Sequence, residues 1–319
     1  LIDGPLLVTG GTGFIGRHVL RTLRGRCPVR LLVHDRAPDP GEATGLEQVR
    51  ADLADPASLA DACRGVERVV HLASHIGDDE SRCERVNARG TEALVHRARA
   101  AGVRRFLYLS NVAVYGYAVH RGADEATAVA APATPISRSR VAAERAVLAA
   151  GGTVIRPLFV YGEGDTRFLP AIGRALQRLP FLIDDGRARL SVIAVTDLAR
   201  CITALALGQP DPAGVFHATD EQPVHFREIV DLVAPLIGKA APRLSVPYSL
   251  GRHLVRLARL GRGWTASDAH RLFLVSHDHF YDSRRLWKTS GLPLPAPMTA
   301  QFGDCLAWYH AVMKKEWAA

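Results

Sequence analysis

The sequence predicts a doubly wound α/β fold: a parallel sheet with helices on both faces, followed by a smaller, mainly helical lobe. Two observations carry this. Short β-branched or leucine-rich runs alternate with helical stretches through the first half, and a glycine-rich loop joins the first run to the first helix. Strands separated by helices imply right-handed crossovers and a sheet buried on both sides. The length of 319 residues, 48% of them apolar, is enough to fill a sizeable core.

Leu6 to Val8 reads as the first strand and Phe14 to Leu23 as the first helix. Val29 to Val33 and Arg68 to Leu72 are strands, the latter followed by a helix carrying Thr91, Leu94 and Val95. Arg105 to Leu109 and Thr153 to Ile155 complete the regular half, with an alanine-, threonine- and proline-rich surface loop from Gly122 to Pro135 before the last strand. Beyond Gly162 the pattern loosens. Arg189 to Ala194 and Val215 to Ala218 remain strand-like around a helix from Asp197 to Leu207, and Phe168 to Leu179, Phe226 to Ile237 and Tyr248 to Leu260 read as helices. The expected division is a nucleotide-binding unit over about 1–160 plus 190–222, and a substrate lobe over about 161–189 and 223–319.

Composition excludes several classes. The apolar content rules out wholesale disorder, and no apolar run approaches a membrane span. Leu1-Ile2-Asp3-Gly4 opens no export signal, and the five cysteines form no C-x-x-C pair, so reduced thiols in a cytoplasmic protein are expected. The net charge is +8, yet only four of the 40 basic residues are lysine and the arginines are dispersed, so no nucleic-acid partner is expected. Ser276-His277-Asp278-His279 lacks the ligand count of a zinc site and reads as an exposed polar segment, leaving no metal site expected. Arg252 to Leu260 is basic and amphipathic; it reads as a flank packed on the core, or a substrate lid, rather than a membrane element.

Thr9-Gly10-Gly11-Thr12-Gly13-Phe14-Ile15-Gly16 follows a strand and opens a helix. Glycines there allow a tight turn and let backbone N–H groups approach a pyrophosphate seated on the helix N-terminus. Two registers fit, one starting at Gly11 and one at Gly10, both running through Gly13 and Gly16.

The Thr-Gly-x-x-Gly-x-x-Gly spacing resembles the extended short-chain dehydrogenase/reductase family, whose Rossmann-type members bind NAD(P). Further likenesses follow in chain order over roughly residues 5 to 220. Asp52-Leu53 resembles the pair beside the adenine, and His71-Leu72-Ala73, with Ser74 and His75 after it, the strand end by the cofactor's ribose. Asn87-x-x-Gly90-Thr91 is similar to the family's central helix, and Ser110-Asn111 with Val114-Tyr115-Gly116 to its mid-sheet signature. Arg156-Pro157 with Val160-Tyr161-Gly162 resembles the segment at the nicotinamide, and Val195-Thr196-Asp197-Leu198-Ala199 a later helix start. Taken singly, His71 and Asn87 read as satisfied structural residues. At the end of the second strand, Asp35 suits a ribose diol and NAD, whereas His34 and Arg36 suit a 2′-phosphate. The permanent cation favours NADPH over NADH.

The resemblance also exposes a loss. Family members use serine or threonine, tyrosine and lysine to handle the alcohol proton. In Pro135-Ile136-Ser137-Arg138-Ser139-Arg140 the tyrosine position holds Ile136 and the lysine position Arg140, while the hydroxyl position holds Asn111. Ile136 has no proton to give, and Arg140 stays protonated, so these residues, with Asn111, position rather than donate. A general acid is worth about 10² to 10⁴ in rate, and three substitutes are conceivable: a phenol on the substrate itself, a water held by Asn111 or Ser74, or Tyr117 or Tyr161 reaching in. Atypical members that lack the tyrosine act on peri-hydroxy aromatic polyketides such as angucyclinones, which fits the first. The resemblance therefore implies an NADPH-dependent ketoreductase of an aromatic polyketide, whose pocket draws on His75, Asn111, Tyr117, Tyr161 and Phe168, with Leu169, Ile172 and Trp264 as further apolar walls. A silent NADP-binding sensor and a sugar-nucleotide epimerase or dehydratase are the alternatives. A large apolar cleft distinguishes the enzyme from the sensor.

Overall fold

The computed structural model describes residues 4–208, 211–258 and 264–317. Its centre is a seven-stranded sheet: β1 (Leu6–Thr9), β2 (Val29–Val33), β3 (Leu46–Arg50), β4 (Arg68–His71), β5 (Arg105–Leu109), β6 (Thr153–Pro157) and β7 (Gly214–Ala218). Every pairing is parallel and the order is β7-β6-β5-β4-β1-β2-β3. The first strand shows why both faces are covered. Leu6 and Val8 enter one core with Leu31, Leu107 and Ile155, while Leu7 enters the other with Leu32, Val69 and Phe106. Alternating side chains on a strand point to opposite faces, and both faces here are apolar. Helix α1 (Phe14–Leu23) and a later helix over Val195–Leu207 supply Val19, Leu23, Ile202 and Leu205 to the first face. Helices α2 (Gly90–Ala100) and α3 (Pro135–Ala149) supply Leu94 and Val147 to the second.

A separate core gathers the second half. Helix α4 (Leu169–Arg178) packs Leu169, Ile172 and Leu176 against Ile229, Val230 and Val233, with Met298, Phe302, Tyr309 and Met313 closing it. The run expected as one strand, Arg189 to Ala194, divides at Ser191. Arg189–Leu190 joins a small sheet with Val224–His225, His279–Tyr281 and His120–Ala123, whereas Val192–Ala194 pairs with Phe159–Tyr161. Ser191 holds the break, its N–H donating to the His279 carbonyl at 2.9 Å and its hydroxyl accepting from the Tyr281 N–H at 3.0 Å. The expected surface loop from Gly122 begins in the His120–Ala123 strand and ends where α3 starts.

The Ser276–His279 segment corrects its sequence reading. His279 is buried in a strand, and the Asp278 carboxylate accepts from Arg121 Nε and the Arg189 N–H, both at 2.8 Å. Strand pairing, invisible in a short polar string, buries it. The basic helix expected to reach Leu260 is described over Tyr248–Ala258; its last expected residues lie outside the described ones. No helix among the described residues is long and apolar enough to cross a membrane.

Three histidines are buried in the neutral form. Burial first, then nearby arginine charge, pushes His71 down to about 3 and His217 down to about 4. Burial likewise takes His279 down to about 4. An unfolded chain binds these protons near 6.5, so the stability they contribute is fully present above that pH and is lost as pH falls through about 4. Thermal melts across pH 7 to pH 4 are expected to show Tm falling steeply over that window. A flat Tm would contradict the buried, neutral state of these rings.

Candidate active site

The strand order reverses on either side of β1, whose neighbours are β2 and β4. In open parallel sheets that divergence leaves a crevice beyond the carboxyl ends of the strands, where ligands bind. Thr9 and His71 end β1 and β4 and are tied together, Thr9 Oγ1 lying 2.6 Å from His71 Nδ1. The opposite ring nitrogen meets Thr91 Oγ1 at 2.9 Å, and the Ala73 N–H donates to Thr9 Oγ1 at 3.2 Å. His71 is thus a structural link.

The glycine loop fills the near side of the crevice. Gly10 has φ +70°, and a Cβ there would stand 2.6 Å from the Ala73 nitrogen. A Cβ on Gly16 would drive into the Gly10 carbonyl, so α1 can start against the loop only with glycine at 16. Gly13 is different: its Cβ position is restricted only by the Gly10 oxygen at 3.2 Å, and it caps α1 without any side-chain hydrogen bond. No acidic residue occupies the first turn. The N–H groups of Phe14 and Ile15 therefore open a helix end suited to an anion. Gly10, Gly13 and Gly16 form the register the geometry favours; Gly11 is confined by Leu31 and Leu20 side chains instead.

At the end of β2, His34 lies between two carboxylates, 3.1 Å from Asp35 and 3.3 Å from Asp52. Arg36 is exposed beside it. Leu53 is buried under α2, where Gly90 has no room for a Cβ against the Leu53 carbonyl at 2.7 Å. Asn87 sits in a π-helical turn, Cys83–Arg89, and its amide is saturated. Its oxygen accepts from the His75 N–H and the Ser74 hydroxyl at 2.7 and 3.2 Å; its nitrogen donates to the His75 carbonyl and Ser139 at 3.0 and 3.1 Å. Asn87 orders the Ser74–His75 loop rather than presenting a free group.

An open cleft of about 690 Å³ adjoins this crevice. Asn111, Ile136, Arg140, Val160, Phe168 and Phe14 all line it, with Ile172 and Trp264 among its walls. Phe159 and Phe168 lie parallel in it, ring centroids 4.3 Å apart. Asn111 is held in one orientation: its oxygen accepts from the Ala113 N–H at 2.7 Å and one N–H donates to the Leu158 carbonyl at 3.0 Å. Its amide has one N–H left, so towards the cleft it is a donor. Thr134 and Ser137 form a capping box at the start of α3, which fixes Ile136 and, one turn on, Arg140 at the cleft. Arg140 donates to the Ser74 hydroxyl at 3.3 Å.

Three expected pocket residues are placed elsewhere, as is one expected wall. Tyr161 is buried in the second-half core, where packing with Leu169 and Val192 holds it out of the cleft lining. The Tyr117 ring is half exposed and packs edge-on to His270 and Phe273, at 5.0–5.1 Å. The backbone of His75 is pinned by Asn87, and its side chain is outside the lining, as is that of Leu169. No tyrosine is among the described residues that line the cleft. Sequence reasoning missed the Ala266–Ser276 helix, which contributes Ser267, His270 and Arg271 to the cleft; its Thr265–Asp268 capping box was the available signal.

A phosphate-receptive crevice joined to a large apolar cleft defines a dinucleotide-dependent α/β enzyme. Residues 6–215 match the model of the NAD dependent epimerase/dehydratase family, and the chain belongs to that family. It is 30% identical over 263 residues to the 2-alkyl-3-oxoalkanoate reductase of Stenotrophomonas maltophilia, covering 76% of this chain and 78% of that one. It is 29% identical, covering 78% of each, to a 4-hydroxy-2-methyl-3-oxo-4-farnesyl-3,4-dihydroquinoline-1-oxide ketoreductase of Stigmatella aurantiaca. The fold superimposes with TM-score 0.75 at 22% identity on a double mutant of DesIV, a dTDP-glucose 4,6-dehydratase from Streptomyces venezuelae solved with NAD bound, over 98% of both chains. The protein is an NAD(P)-dependent oxidoreductase acting on ketone or secondary alcohol groups.

The residues present suit such a cofactor. The uncapped α1 terminus matches an anion, and the Ser110 hydroxyl, buried at the end of β5, has no hydrogen-bond partner among the described residues. Gly16→Ala is expected to push α1 off the loop, costing about 1–3 kcal/mol of stability and abolishing dinucleotide binding. Fluorescence titration with NADPH alongside a thermal melt checks it; unchanged binding would contradict the tight seating of the helix.

Proposed function

We propose that the protein is an NADPH-dependent ketoreductase acting on a ketone of a polycyclic aromatic polyketide, a 7-oxo angucyclinone or similar, in which the substrate's own phenol replaces the missing acid. The observation that carries the reading is the cleft itself: wide, walled by a parallel phenylalanine pair, and without a single phenol lining it. Its size also favours an enzyme over a silent sensor, and the absent acid disfavours epimerase or dehydratase chemistry.

The nucleotide unit, about 1–160 with 190–222, would hold the cofactor, and the remainder the substrate. Gly10, Gly13 and Gly16 with the N–H groups of Phe14 and Ile15 would take the pyrophosphate. His34 draws Asp35 and Asp52 to itself, which leaves Arg36 for a 2′-phosphate; Asp52 and Leu53 would flank the adenine. Leu72, Ala73, Ser74, Ser110 and Arg140 would line the ribose side, Asn87 acting through the Ser74 loop, with Pro157 and Val160 beside the nicotinamide. When bound, this group supplies the hydride. The free N–H of Asn111 would donate to the substrate's carbonyl oxygen, steadying the charge that develops there. A hydroxyl peri to that carbonyl can hand over its proton through an internal hydrogen bond, so Ile136 has only to exclude water and pack on the ring. A cytoplasmic location accords with the five unpaired cysteines.

Two measurements bear on this. Peri-hydroxy ketones are expected to turn over about 10² to 10⁴ times faster than their O-methyl ethers; equal single-turnover rates would remove the substrate's phenol from the reaction. Arg36→Ala is expected to weaken NADPH about tenfold or more while NADH is unaffected, and tighter binding of NADH by the unaltered protein would overturn the cofactor assignment.

A further inference from the structure

Lys239 to Ser267 contains no aspartate or glutamate and six basic residues. The helix Tyr248–Ala258 lies within this stretch and has two unlike faces. Its inner face is seated on the protein. A Cβ at Gly251 would stand 2.6 Å from Ile183 Cγ1 and 3.3 Å from Val246 Cγ2, and Val255, one turn on, lines the cleft. The helix therefore lies along the parallel pair Phe181–Ile183 and Leu244–Val246.

The outer face carries Leu250 and Leu257, two turns apart, and beside them Arg252 and Arg256, one turn apart. Leu250 and Leu257 are 48% and 56% exposed; Leu244, on the same strand face as Val246, is 57% exposed. Arg243, Arg252 and Arg256 are exposed and have no carboxylate within ion-pair distance among the described residues. Elsewhere the arginines of an acid-free run find distant partners: Arg17 meets Asp39, Arg21 meets Glu42 and Arg30 meets Glu47. Leucines held in water beside unbalanced cations suit an anionic bilayer on both counts. Its headgroup charges draw the guanidiniums, and the headgroup boundary takes in the leucines. A nucleic acid would answer the charge alone and leave the leucines wet. The cleft favours lipid over an acidic protein, because Val255 puts an apolar cavity directly behind the helix, and compounds that fit such a cavity concentrate in bilayers.

We propose that the helix Tyr248–Ala258, with Leu244 beside it, docks the protein on the anionic surface of a membrane, lying among the headgroups without crossing. The expected flank packed on the core is its inner face only. Docking goes beyond the proposed function and does not depend on which ketone is reduced. It turns the Val255 wall of the cleft towards the lipid, so that an apolar substrate enters from the bilayer.

The test is flotation of the protein with vesicles of phosphatidylcholine alone and of phosphatidylcholine mixed with phosphatidylglycerol. The mixed vesicles are expected to hold it about tenfold more strongly or better, and high salt to release it. Arg252→Gln with Arg256→Gln should weaken retention about tenfold or more, and Leu250→Ser with Leu257→Ser by about the same factor. Both variants should keep the Tm and NADPH affinity of the unaltered protein. Arg99→Gln with Arg145→Gln, exposed on α2 and α3, removes equal charge and should bind vesicles as before. If neither vesicle holds the protein, or both hold it equally, the proposal is overturned. If the Arg99 and Arg145 variant is released as readily as the helix variant, or if the serine variant stays bound, general surface charge explains the attraction and the docked helix is refuted.

Discussion

The closeness of β1 and β4 at their carboxyl ends governs the rest of the molecule. The Thr9–His71 hydrogen bond at 2.6 Å draws the two strand ends together, and Gly10 touches Ala73 where any side chain would be excluded. Full burial keeps His71 neutral, so one ring nitrogen donates to a threonine hydroxyl and the other accepts from one. From that joint the glycine loop, the Ser74–His75 loop and the start of α1 take their positions. Asn87 then carries the constraint outward, its four hydrogen bonds linking the loop after β4 to Ser139 on α3. The wall carrying Ile136 and Arg140 is in this way tied to the wall carrying the crevice.

What the site can do follows from which groups are free. Asn111 has engaged its oxygen and one N–H with the backbone, which leaves its second N–H to donate. Arg140 is a permanent cation, and Ile136 is inert. The cleft therefore offers hydrogen-bond donation and positive charge, with no tyrosine to serve as acid. On the function proposed above, the proton comes from the substrate's own phenol.

Much of the fold was legible because local and tertiary signals agreed. Leu6-Leu7-Val8 had to be buried on both sides, and the glycines after it had to turn; the sheet shows both. Asn111, Ile136, Arg140, Val160 and Phe168, each singled out in the sequence, line one cleft. The failures share a cause. His279 and the divided run at Ser191 are governed by partners more than twenty residues away in sequence, and Tyr161 packs on distant Val192 as well as on Leu169, which no local pattern encodes. The edge strand β3 escaped notice because its exposed Leu-Glu-Gln-Val-Arg string has none of the apolar density that marks its neighbours.

The capping box at the head of α3 has an evolutionary consequence. Thr134 and Ser137 secure the helix start between themselves, so the intervening residue at 136 carries no share of that task. Its identity is decoupled from folding. A lineage with this architecture could discard or reinstate an acid there by altering one codon, drifting between catalytic styles without passing through an unfolded ancestor.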